Sequence, residues 1–79
     1  MNKLSYFPEE WQTVEEKDVE AYGARDGWIY CIRHHNKDGG MVPPMEAYAV
    51  VVGHDGDVID WCHTNDPQEL TLWARSYQK

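Results

Sequence analysis

Positive charge is scarce in this chain. Its 79 residues carry fourteen Asp and Glu against seven Lys and Arg, a net charge of −7, and from Asp38 to Ala74 there is no Lys or Arg at all. A surface of that sign repels phosphate, which argues against nucleic acid and anionic membranes as direct partners. Cysteine is almost as rare. Cys31 and Cys62 are too few, and too far apart in sequence, to form a secreted disulfide framework. No apolar run reaches the length of a membrane span. The stretch from Met1 to Pro8 runs straight into Glu9 and Glu10 without the apolar core of a signal peptide. These absences lead to an expectation of reduced thiols and a cytoplasmic setting. Nor is there a phosphate-cradling loop, because the pair Gly39-Gly40 lacks the following Lys and helix start.

Internal repeats and linkers are also missing, so residues 1–79 are read as one domain. A chain this short buries only about three-fifths of the surface its unfolded form exposes. It is nevertheless rich in aromatics, with four Trp, five Tyr and one Phe. Each of these can bury roughly 150–250 Å². Trp28, Trp61 and Trp73 are read as core, whereas Tyr6 and Phe7, near a terminus, are candidates for the surface.

Local signals give an element order. Pro8 followed by Glu9 and Glu10 has the form of a helix start. Trp11, Val14, Ala21 and Tyr22 share one helical face, with Glu9, Glu16 and Glu20 opposite. Asp18 interrupts the apolar face, so Val19 to Ala24 reads either as the end of this helix or as an edge strand turning at Asp26-Gly27. Trp28 to Ile32 is a β-branched and aromatic run typical of a strand. His34 to Met45, with Asn36, Gly39, Gly40 and Pro43-Pro44, reads as a surface loop. Ala47 to Val52 is apolar without alternation, the mark of a central strand. The turn His54-Asp55-Gly56-Asp57 then leads into a partner strand from Val58 to Cys62. Asp66, Pro67 and Glu69 supply a cap, a first helical residue and a capping box, and Leu70, Trp73, Ala74 and Tyr77 follow on one helical face. The expected fold is α+β: a small three- to four-stranded antiparallel sheet with an N-terminal and a C-terminal amphipathic helix.

Chemistry-bearing residues are sparse and badly spaced for catalysis. Cys31, His34, His35, His54, Cys62 and His63 do not form the two closely spaced ligand pairs of a structural zinc site. Asp55, Asp57 and Asp60 break the register of a calcium loop. Both cysteines fall within predicted strands, where a thiol is a small inert hydrophobe. The reading is a non-enzymatic protein with no catalytic residue, no metal and no cofactor.

The strongest remaining signal is charge segregation. Glu9, Glu10, Glu15, Glu16, Asp18 and Glu20 surround a single base, Lys17, giving residues 9–20 a net charge of −5. With Trp11 as an aromatic anchor, these seven residues form the candidate partner-binding set. In length, acidity, the Glu9-to-Glu20 cluster and lack of enzymatic motifs, the chain resembles the small acidic single-domain inhibitors encoded by phages and other mobile elements, anti-CRISPR proteins among them. The resemblance implies stoichiometric blocking in the host cytoplasm. An acidic, DNA-mimicking surface would occupy a Lys/Arg groove on a nucleic-acid-handling protein or nucleoprotein complex. The alternative is an intracellular accessory or homo-oligomerising module, such as a homodimer formed through a sheet edge or exposed aromatics.

Overall fold

A strand that is apolar on both sides needs a cover on each face. The computed structural model of the chain describes residues 3–35 and 45–78. It places the Ala47–Val52 run within β3 (Met45–Gly53), between β2 (Gly27–His35) and β4 (Val58–Thr64), with β1 (Glu20–Ala24) outside β2. The four strands form one antiparallel sheet in the order β1-β2-β3-β4. The single α-helix among the described residues, α1 (Pro67–Arg75), follows β4.

Alternation along β3 sorts the core into two layers. On one face, Val50 and Val52 join Ile32 of β2 beneath Leu4, Phe7, Trp11 and Val19, with Tyr30 and Tyr48 alongside. On the other, Ala47, Ala49 and Val51 join Cys31 and Ile29 beneath Leu70, Trp73, Ala74 and Tyr77. The first is the strap face, covered by the N-terminal segment, and the second is the helix face.

The expected N-terminal amphipathic helix is not formed. Three isolated 3-10 turns stand in its place, at Lys3–Tyr6, Glu9–Trp11 and Glu16–Asp18. Pro8 does precede a turn, but Glu15 is already extended at φ −82°, ψ 152°. Two physical causes act together. Glu16 and Glu20 would stand one helical turn apart with like charge. The apolar period also fails between Val14 and Ala21, so a continuous helix would leave Val19 off its buried face, whereas the turned strap buries Val19 with Leu4, Phe7 and Trp11. Residues 20–24 are strand, the edge alternative of the sequence reading. Phe7 is buried and Tyr6 half-buried, stacked on Tyr30 with centroids 5.7 Å apart.

Two hairpins set the register. The β1–β2 turn, Arg25-Asp26, delivers Gly27 at φ +155°, where a Cβ would lie 2.0 Å from the Val52 carbonyl oxygen. Between β3 and β4, the Gly56 N–H donates to the Gly53 carbonyl at 2.9 Å, and Gly56 takes φ +89°. This is a three-residue loop of the kind that carries a glycine in the left-handed region. The loop read from His34 to Met45 is shorter than expected, since β2 extends through His35 and β3 begins at Met45; its middle, residues 36–44, lies outside the described residues.

The C-terminal helix begins as its sequence dictates. The Asp66 carboxylate accepts from the Gln68 N–H at 2.9 Å, and Pro67 opens the first turn. Glu69 does not close a reciprocal capping box. It accepts from the Thr64 hydroxyl at 3.1 Å, and that hydroxyl in turn accepts from the Asp66 N–H. At the far end Asp60 of β4 clasps the helix, accepting from the Trp73 indole N–H at 3.3 Å and from the Tyr77 hydroxyl. The Tyr77 bond, with the Trp61 backbone N–H behind it, holds the Asp60 carboxyl below its ordinary pKa. Beyond α1, Gln78 forms an antiparallel bridge to Ala24 and closes that end of the β1 edge.

Two predictions follow from this packing. Gly27→Ala should cost about 3 kcal/mol or more, because the positive φ and the Val52 carbonyl both reject a methyl group. Gly23→Ala, with nothing within 4 Å of the added atom, should change stability by less than about 0.5 kcal/mol; urea melts of both variants decide. Asp60 has a folded pKa below its unfolded one, so its contribution is full above about pH 4 and is lost as pH falls through the folded value. Tyr77→Phe should cost about 1–2 kcal/mol at pH 7. It should also flatten the acid side of the stability curve, measured by thermal melts from pH 2 to 7.

Candidate functional site: the acid-rimmed strap face

The strap divides its residues by polarity. Leu4, Phe7, Trp11 and Val19 point into the sheet, while Glu9, Glu10, Glu15, Glu16 and Asp18 remain exposed. Among the described residues, Glu15 pairs with Lys17 at 3.2 Å, and both side chains are largely in solvent. An exposed pair of this kind contributes little to stability. The five carboxylates therefore give the strap a negative outer surface held in place by the apolar residues between them.

Trp11 occupies a different place from the one its sequence position suggested. It is buried, edge-on to His34 at 4.5 Å, tilted against Tyr48 at 5.6 Å and edge-on to His63 at 5.6 Å. Its role is to fasten the strap to β2, β3 and β4. Glu20 is also elsewhere. It turns to the helix face, where it accepts from Arg33 Nε at 2.6 Å and from the Tyr22 hydroxyl at 2.5 Å. Of the seven residues read as partner-binding, five share the strap's outer surface, one is core and one lies across the sheet.

Exposed aromatic surface on the strap face comes instead from Trp28 and Trp61, which are 52% and 58% exposed. Both had been expected in the core. Trp28 alternates with Tyr30 and Ile32 on β2 but pairs with Gly23 of β1, which has no side chain to shelter it. Trp61 lies on the outermost strand, stacked on Tyr48 with centroids 5.7 Å apart and an interplanar angle of 7°. The sequence signal for each was available: a tryptophan opposite a glycine, and a tryptophan on the last strand of a meander. Val58, also exposed, pairs with Val52 on the same face.

Charges of both signs lie on this face, with acids near Tyr48 and His63 and Lys3 Nζ 5.8 Å from the Tyr30 ring centroid. Burial raises the Tyr48 hydroxyl pKa, and the nearby charge of Glu10 raises it further. Glu46 lies 2.5 Å from His63 Nε2, on the exposed flank of the same face. The arrangement can offer exposed aromatic rings on a face that also carries exposed carboxylates, a form suited to a cationic protein surface and to Arg side chains in particular.

Nucleophilic chemistry is poorly served. Burial pushes the Cys31 thiol up to about 11 and raises Cys62 as well. Both flank Ala49, one strand to either side, which separates them by about 9–10 Å at ordinary strand spacing, beyond disulfide reach; both are free thiols. Among the described residues, no three His, Cys, Asp or Glu side chains gather to hold a metal. No helix among them is long and apolar enough to cross a membrane. Comparison with protein-family models, curated proteins and solved structures gives no match.

The geometry predicts how the tryptophans respond to charged quenchers. Caesium should quench fluorescence more strongly than iodide at low ionic strength, because the strap's carboxylates and the net charge of −7 concentrate cations and repel anions. The difference should shrink at 0.5 M salt, and a Trp28→Phe/Trp61→Phe variant should lose most of it.

Proposed function

We propose that the protein is a non-enzymatic, cytoplasmic inhibitor of the kind phages encode, using its strap face to block a basic nucleic-acid-binding surface on a host protein or nucleoprotein complex. The observation that carries this reading is the strap's outer surface: five exposed carboxylates, from Glu9 to Asp18, on the same face as Trp28 and Trp61. The acids supply long-range attraction and register against Lys and Arg. The two tryptophans supply desolvated contact area, the usual source of hot-spot energy. Trp11 supports the surface from beneath, and Glu20 takes no part.

The test is competitive. The protein should capture a basic nucleic-acid-handling protein from bacterial lysate, release it at moderate salt, and compete with that target's own DNA or RNA. Glu10→Lys/Glu16→Lys should weaken capture at least tenfold while leaving the melting curve unchanged, since both side chains are exposed. Undiminished capture and competition by this variant would overturn the reading.

A second reading, an accessory or homo-oligomerising module, is favoured by the β4 edge, where Val58 and Ile59 are 42% and 52% exposed beside Trp61. Its signature in sedimentation is a dimer that persists in high salt and is lost on replacing Ile59 with Lys.

A further inference from the structure

Helix α1 is narrower than the sheet it covers. It packs over β3 and β4, and the helix-face surface of β1 and β2 is left beside it as a trough of about 310 Å³. Ile29, Cys31, Ala49 and Leu70 form its floor, each no more than 3% exposed. Its rim is polar: Tyr22 and Arg33 on the sheet side, Thr71, Arg75 and Gln78 on the helix side. The volume falls at the lower end of the range for small-molecule pockets, which combine an apolar body with a few convergent polar groups.

Charge distinguishes this trough from an ordinary gap. The chain has three arginines, and two of them line this trough. Arg33 and Arg75 line the rim, while Arg25, beside the Gln78 end, donates to the Ser76 carbonyl. In a protein of net charge −7 this is a local reversal of sign. One rim position already holds a carboxylate: Glu20 accepts from Arg33 Nε and from the Tyr22 hydroxyl. Burial works against the Arg33 charge, and the bond to Glu20, the Cys31 and Glu20 charges and the Tyr22 hydroxyl together outweigh it. Arg75, across the trough, has no ion-pair partner among the described residues.

We propose that this trough binds a small amphipathic carboxylate, its apolar tail over Ile29, Cys31 and Leu70 and its carboxylate between Arg75 and Arg33. Glu20 acts as the resident competitor. The ligand either displaces it from Arg33 or shares the guanidinium with it, and the Tyr22 hydroxyl is free to follow. Because the floor residues are nearly closed to water, the tail reaches them by moving the rim side chains aside. The site lies on the opposite face from the strap surface and stands or falls independently of it.

The experiment is a titration of the ¹⁵N-labelled protein with sodium octanoate, with octanol and octylammonium as controls. The expected result is saturable shifts at Tyr22, Cys31, Arg33, Ala74 and Arg75 for octanoate, and weaker or no binding for the two controls. Glu20→Gln removes the competing charge and should tighten octanoate binding about fivefold, whereas Arg75→Gln should weaken it by a similar factor. Equal binding of all three probes, shifts centred on Trp28 and Trp61, or unchanged affinity in Glu20→Gln would overturn the proposal. So would the absence of any saturable shift in the wild-type protein.

Discussion

One strand imposes its requirements on the whole molecule. β3 carries Ala47, Ala49 and Val51 on one side and Tyr48, Val50 and Val52 on the other, so neither side tolerates water. A larger protein meets that demand with layers of helix. Here the chain meets it with smaller pieces. It covers one face with a turned strap studded with large side chains and the other with a nine-residue helix. Both covers are minimal, and both leave sheet surface beyond their edges. The exposed tryptophans lie beyond the first cover and the arginine-walled trough beyond the second.

The two faces differ in how the cover is attached. On the strap face the attachment is aromatic, with Trp11 set among His34, Tyr48 and His63 and Tyr6 stacked on Tyr30. On the helix face it is polar at both ends, with Asp66 and Thr64 at the start of α1 and Asp60 near its finish. This sorting leaves carboxylates exposed on the strap's outside, while those on the helix face, Glu20, Asp60 and Glu69, are all hydrogen-bonded. The net charge is thus unevenly available: the strap side presents it, and the helix side uses much of it internally.

Much of this organisation is legible in the sequence, and the failures have physical causes. The strands from Trp28, Ala47 and Val58 carry strong β-branched and apolar signals, and Asp66-Pro67 marks the helix start as an isolated turn of chain would. The N-terminal segment misleads because Pro8-Glu9-Glu10 is a genuine initiation signal that nothing sustains. Three residues of turn satisfy it, after which packing of Val14 and Val19 against the sheet decides the path. Acid clustering in residues 9–18 could be read directly as surface. The fate of Trp11 could not, because it depends on how far the strap reaches, while the signals for Trp28 and Trp61 become usable only once β1 is known to be a strand and β4 the outermost one. Glu20 belongs by sequence with the acids before it, but β1 begins at that residue and alternation turns its side chain to the opposite face.

The distance along the chain between the strap and its seat has a consequence for synthesis. Leu4, Phe7 and Trp11 leave the ribosome roughly forty residues ahead of Tyr48, Val50 and Val52, the partners that bury them. At about 5–20 residues per second, these apolar side chains wait for seconds in an incomplete chain without the strands that later bury them. The carboxylates interleaved among them hold the nascent segment apart from others of its kind, in the way charged gatekeepers flank exposed hydrophobic stretches. The acidic strap therefore has a task before the fold exists.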